Sequence, residues 1–159
     1  MIERADFIRQ LTPVAQDEEN RSGIKPIITL TQAAHESNWG NSELTAKANN
    51  LFGFTGESWE QEGKPVIKLP TSEYILGRWM KVDRPFRSYK SWAESVRDWA
   101  SLMQRSRYTK AYEAAKLGDI DTFSKEVAAA GYATDPNYAK GLMNVAAVIN
   151  SLPPQSEVV

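Results

Sequence analysis

Cysteine is absent from the 159 residues, and histidine occurs once, as His35. The first absence removes disulfides and thiolate metal sites, and the second leaves imidazole chemistry thin, so no metal and no other cofactor is expected. Lack of cysteine does not fix the redox compartment, since cytosolic and exported proteins both manage without it. An excess of one charge is missing too: 19 Lys and Arg face 20 Asp and Glu, for a net charge of -1. Without a broad electropositive field, nucleic acid and anionic membrane are poor partners. No apolar run approaches the roughly 20 residues that cross a bilayer. The start, Met1 to Gln10, interleaves charges with apolar residues and so lacks the uninterrupted core of a signal peptide. The chain is therefore expected to be soluble and made in the cytoplasm.

What is present is an ordinary globular balance, 25% charged and 42% hydrophobic. The length suits one domain with a real core, expected over residues 1–152, and nothing asks for more than a monomer. The end, 153–159, with Pro153-Pro154, reads as a loose tail.

Helical spacing dominates. Phe7, Ile8 and Leu11 mark a first helix, and Thr12-Pro13 reads as the cap and first turn of a second, so two helices or one kinked helix open the chain. Pro26 starts a helix that runs to about Asn38, with Ile27, Leu30, Thr31 and Ala34 on one face and Gly40 just past its end. A short polar helix follows from Ser42 to about Ala48, and then Asn49 to Gly56 reads as an ordered loop. Between Val66 and Tyr89 the character turns to β, with Leu76-Gly77 as a turn in a small antiparallel wing. Ser91 to Glu94 is a capping-box pattern before the stripe Val96, Trp99, Ala100, Met103. Helices are further expected from about Lys110 to Lys116, from Asp121 to Ala130, and from Asp135-Pro136 to just before Pro153, the last with Tyr138, Leu142, Val145, Ala146 and Ile149 inward.

One segment carries chemistry on its own terms. In Gln32-Ala33-Ala34-His35-Glu36-Ser37-Asn38-Trp39-Gly40, Ala33 and Trp39 stand three positions either side of Glu36, so a carboxylate shares a face with apolar surface. A carboxyl group withdrawn from water keeps its proton to higher pH, as a general acid must. Most glutamates on helices are merely solvated, and it is the neighbours that lift this one. A zinc reading of His35-Glu36 fails because the helical metalloprotease pattern needs a second histidine where Trp39 stands. Asp119 and Asp121 lack the glycine and glutamate offsets of a calcium loop.

The Gln32–Gly40 segment, Asn49-Asn50-Leu51-Phe52-Gly53, Thr71-Ser72-Glu73-Tyr74, Phe86-Arg87-Ser88-Tyr89 and Gly131-Tyr132-Ala133-Thr134-Asp135-Pro136-Asn137-Tyr138 follow one another in the order found in glycoside hydrolase family 73. The chain resembles these N-acetylglucosaminidases, which include flagellar rod-assembly peptidoglycan hydrolases, autolysins and phage lysins, from about Phe7 to Ile149. The resemblance implies an α+β, mostly helical, lysozyme-like fold with a helical lobe and a small antiparallel β-hairpin lobe. It also implies cleavage of the β-1,4 bond after N-acetylglucosamine in peptidoglycan glycan strands. By the same resemblance Glu36 is the general acid, Glu73 the second carboxylate and Tyr132 a tyrosine close to the acid, while Asn50, Phe52 and Gly53 line the groove. Trp59 and Tyr74 are further groove aromatics, and Asp135 is assigned to capping the last helix.

The carboxyl separation, about 5 Å for retention and about 6.5–9.5 Å for inversion, is not written in a sequence. Inversion is preferred, with assistance by the substrate's acetamido group as a third route. A muramidase or lytic transglycosylase on the same fold is the alternative enzyme, and a non-cutting wall-binding module the alternative of another class. Either a phage lysin or a piece of a larger protein would lack an export signal, and the first is preferred.

Overall fold

The computed structural model describes residues 1–153, so that all but the first residue of the expected tail, from Pro154 on, lies outside the described residues. Helix α1 (Arg4–Ser22) runs as one element, not two. Pro13 stands inside it on the exposed side, where the Arg9 carbonyl that loses its helical donor faces water. Gly23, at φ 81, closes the helix and turns the chain toward Pro26.

Helix α2 (Pro26–Ser37) is the axis of the fold, starting with proline in its first turn. Every residue from Ile28 to Ala34 is buried, so it is enclosed all round rather than amphipathic as its spacing suggested. Helices α1, α7 (Ile120–Ala129) and α8 (Tyr138–Ser151) pack against it. With α5 (Trp92–Met103) and α6 (Thr109–Leu117) they enclose a continuous core that includes Phe7, Leu11, Ile28, Trp99, Phe123 and Leu142. Each fully buried aliphatic or aromatic side chain there contributes roughly 1.5–3 kcal/mol.

Between α2 and α5 lie α3 (Glu43–Ala48), α4 (Glu57–Gln61) and a hairpin of β1 (Val66–Ile75) and β2 (Arg78–Arg87). The strands pair antiparallel from Val66 opposite Arg87 to Ile75 opposite Arg78. Leu76 and Gly77, at φ 51 and 81, form the two-residue turn whose positive φ values match the strand twist. Outside its own ladder the hairpin packs chiefly on α4, and the Thr55–Phe86 bridge ties its base to the preceding loop.

The cap of α5 is a variant of the expected box: Ser91 Oγ accepts the Glu94 N–H, but the Glu94 carboxylate accepts from Lys90 rather than from Ser91. Helix α8 begins at Tyr138, later than expected. Asp135 makes a turn ahead of it, its carboxylate accepting the Asn137 N–H (2.9 Å) and its carbonyl the Tyr138 N–H (3.1 Å). Helix α4 and a 3-10 turn at Ser106–Tyr108 were not expected.

Candidate active site

The last turn of α2 is locked from both sides. Asn38, Trp39 and Gly40 all take left-handed backbone, at φ 49, 56 and 80, so the helix stops abruptly after Ser37. The Ser37 hydroxyl donates to the Ala33 carbonyl (2.6 Å) and accepts the Gly40 N–H (2.8 Å). A Cβ on Gly40 would lie 2.6 Å from the Phe7 ring, so glycine is required for space as well as for φ. These contacts hold Glu36 at a fixed place in the final turn.

The carboxyl of Glu36 is half-buried and accepts at Oε1 from the Tyr138 hydroxyl (2.5 Å). The Tyr138 oxygen accepts from Gln32 Nε2 (2.9 Å), and Gln32 Oε1 accepts from the Trp99 indole N–H (2.7 Å). Phe52 stacks on Trp99 with centroids 5.1 Å apart. Tyr132 stacks on Tyr138 at 5.8 Å, and His35 meets the Tyr138 ring edge-on at 5.3 Å. Burial pushes the Glu36 carboxyl above the ordinary glutamate value, and this outweighs the lowering pull of the Tyr138 hydrogen bond and of His35.

Sequence reasoning placed Trp39 against that carboxyl, and the structure corrects it. Because Asn38 and Trp39 leave the helix, the three-residue spacing no longer puts Trp39 on the face of Glu36. Its indole packs edge-on to Phe7 and under the Arg4 guanidinium. The rings grouped at the acid are those of Tyr138 and Tyr132.

Tyr132 lies beside Glu36 through that stack, but its hydroxyl does not bond the carboxylate. The hydroxyl is buried and without a hydrogen-bond partner among the described residues, and burial first, then the Glu36 charge, holds its pKa well above the ordinary phenol value. The turn carrying it is gripped by Arg107, whose Nε donates to the Ala130 carbonyl (2.6 Å).

Glu73 stands apart from this cluster. It lies near the hairpin tip on β1, opposite Met80, with Arg84 Nη1 3.8 Å from its carboxylate, and takes no part in the interactions around Glu36. Tyr74 is its neighbour in sequence, but strand alternation sends the two side chains to opposite faces. Tyr74 pairs with Trp79 on the outer face, the two rings 64% and 72% exposed.

The Asn50 amide, expected to meet a sugar, is 1% exposed and fully engaged. Its nitrogen donates to the Phe54 and Arg87 carbonyls (2.9 Å each), and its oxygen accepts the Phe54 N–H (3.1 Å). It ties the loop to the base of the hairpin instead of offering groups to a ligand. Phe52, 4% exposed, belongs to the core. Gly53 is exposed at φ 74 with open space around it. Trp59 is half-buried, edge-on to Tyr89 at 5.2 Å, with Lys64 and Arg87 over its ring.

Two residues at the site escaped the sequence reading. Tyr138 looked like one more inward residue of α8, and Gln32 was passed over. Gln32 carried a signal nonetheless, as a long amide side chain four residues before Glu36, and so on its face.

The family model described as "Glucosaminidase: Mannosyl-glycoprotein endo-beta-N-acetylglucosaminidase" matches residues 12–151. The chain belongs to this glucosaminidase family, family 73 of the glycoside hydrolases. Among curated members, "Exo-glucosaminidase LytG" of Bacillus subtilis is 38% identical over 86% of this chain, and "Peptidoglycan hydrolase FlgJ" of Pseudomonas aeruginosa 35% over 89%. "Probable N-acetylmuramidase" of Lactococcus lactis is 34% identical over 91%. The matches take in 48%, 36% and 33% of those proteins, so the chain spans a third to a half of their length. The glycoside hydrolase domain of Salmonella typhimurium FlgJ, C-terminally truncated, superposes with a TM-score of 0.76 at 32% identity, covering 95% of this chain and all of that one. The catalytic domain of the Listeria monocytogenes autolysin Auto gives 0.76 at 28% identity, covering 92% and 84%. The lysozyme-like α+β architecture expected from the resemblance is thus observed. The relatives named here are bacterial proteins, and none of them speaks for the phage origin preferred on sequence.

In this member of the family, Glu36 offers a proton-holding carboxyl with one oxygen fixed by Tyr138 and the other without a hydrogen-bond partner among the described residues. The hairpin bears a second, half-exposed carboxylate, and the Tyr132 hydroxyl is a donor with no internal acceptor. Glycoside hydrolysis commonly uses two carboxyl groups, and the chain carries one at the end of α2 and one on the hairpin.

Proposed function

We propose that the chain hydrolyses the β-1,4 bond between N-acetylglucosamine and N-acetylmuramic acid in peptidoglycan, and so opens the bacterial cell wall. Glu36 gives its proton to the departing glycosidic oxygen as the bond to the anomeric carbon breaks. Glu73 takes the proton of the water that attacks that carbon, once the hairpin closes on the glycan. Tyr132 offers its hydroxyl to the acetamido oxygen of the sugar. The observation that carries this reading is the Glu36 carboxyl, drawn out of water at the rigid end of a buried helix and raised in pKa.

Named relatives differ over which bond they cut, one an exo-glucosaminidase and another a probable N-acetylmuramidase. The endo-glucosaminidase reading follows the family description and the Asn49–Gly53 and Tyr132–Pro136 segments. The test is turbidity of a cell-wall suspension with the parent and with Glu36→Gln, followed by mass spectrometry of the products. Clearing with N-acetylglucosamine at the new reducing ends is expected, and the variant should lose at least about 100-fold in rate, the usual worth of a general acid. New muramic acid ends, anhydro ends or no cutting would each overturn it.

A further inference from the structure

The hydrogen bonds behind Glu36 have a direction. Trp99 Nε1 is only a donor, so the side-chain oxygen of Gln32 must face it, 2.7 Å away. The Gln32 amide nitrogen is then left to donate, and its partner at 2.9 Å is the Tyr138 oxygen. With that lone pair occupied, the single phenolic proton of Tyr138 points to Glu36 Oε1, at 2.5 Å. Every donor in the series points the same way, and the series crosses from α5 through α2 to α8.

A carboxylic acid carries its proton on one oxygen. Oε1 already receives the Tyr138 proton, so the acid proton is directed to Oε2, the oxygen free of recorded partners. We propose that Trp99, Gln32 and Tyr138 form a buried positioning relay that assigns the catalytic proton of Glu36 to Oε2 and fixes that oxygen toward the glycan. None of the three needs to touch the reacting atoms. The relay rests on the reading of Glu36 as general acid and adds which oxygen delivers the proton and what holds it there.

The series also ties the acid to the Asn49–Gly53 loop. Phe52 of the Asn49–Gly53 loop lies flat on Trp99, with rings 5° from parallel. The ionisable groups around the carboxyl are His35 from α2, Tyr138 from α8 and Tyr132 from the turn before α8. Among them Tyr138 alone makes a recorded hydrogen bond to it. A hydrogen bond given to the carboxylate favours the ionised form, so its removal lets burial act unopposed by that bond.

The test uses Tyr138→Phe and Gln32→Met in the full chain, with kcat and KM on soluble glycan-strand fragments across pH. For Tyr138→Phe, kcat should fall about tenfold or more with KM within about twofold, and the basic limb of the profile, where the acid loses its proton, should move to higher pH. Gln32→Met, close in volume, should move both quantities the same way by less, because the phenol keeps its proton but loses its orientation. An unchanged or lowered basic limb in Tyr138→Phe, or a loss confined to KM, overturns the relay. If Tyr138→Phe does not fold, the same readings on Gln32→Met decide. Glu36→Gln, run alongside, separates the two claims: if it retains activity, the acid assignment itself fails, whereas an inactive Glu36→Gln beside an unaltered Tyr138→Phe removes the relay alone.

Discussion

At position 36 the proposed catalysis and stability pull in opposite directions. Burial holds the folded-state pKa of Glu36 above its unfolded value. Its contribution to stability is therefore complete below about pH 4.3, the ordinary glutamate value, and is lost as pH rises through the raised value. Glu36→Gln should accordingly raise the melting temperature at pH 7, by roughly 1 kcal/mol of stability, and change it little at pH 4, while activity disappears. Calorimetry at the two pH values checks this, and equal shifts at both would contradict it. Gly40 gives the converse case: Gly40→Ala brings a Cβ within 2.6 Å of Phe7 at φ 80 and should destabilise the fold by about 2–4 kcal/mol, read by urea unfolding. Glu36 was legible in the sequence because small apolar neighbours announced a drawn-in carboxyl. Its true company was not, since Tyr138 lies 102 residues away in the chain and nothing local connects them.

Elements were legible where local chemistry decides them, as at the Pro26 start of α2, the Ser91 cap of α5 and the Leu76-Gly77 turn. They were left open or missed where no local pattern decides. Helix α1 runs through Pro13 because that side faces water, and α4 has no buried residue to give it a period. In the Asn49–Gly53 loop the polar and aromatic residues looked like ligand groups, yet Asn50 and Phe52 hold the loop in place. Asn50→Ala removes the acceptor of the Phe54 N–H and one donor to each of the Phe54 and Arg87 carbonyls, of which the Phe54 oxygen still accepts the Arg87 N–H (3.1 Å). About 2–3 kcal/mol should be lost, measured by denaturant unfolding. The hairpin tip offers the opposite sign: Leu76 holds φ 51 with its side chain exposed, and Leu76→Asn should stabilise by roughly 0.5–1 kcal/mol, since asparagine accepts that backbone more readily.

Across the whole molecule, the separated motifs converge because α2 is enclosed by helices from both ends of the chain, which brings α5 and α8 against the same face. Packing also buries phenols. Tyr89, Tyr132 and Tyr138 are all raised above the ordinary tyrosine value, mainly by burial. Their contribution is complete below about pH 10 and is lost as pH climbs beyond it, by up to about 1.4 kcal/mol per pH unit for each phenol. The urea midpoint should therefore drop steeply above pH 10, and less steeply in Tyr132→Phe.

The ionisation of Glu36 itself is the most direct point of attack, and carbon-13 NMR of its side-chain carboxyl in the intact chain reads it. A titration midpoint above the ordinary glutamate value, moving higher still in Tyr138→Phe, is the expected result. A midpoint at or below that value would contradict the assignment of Glu36 as the acid.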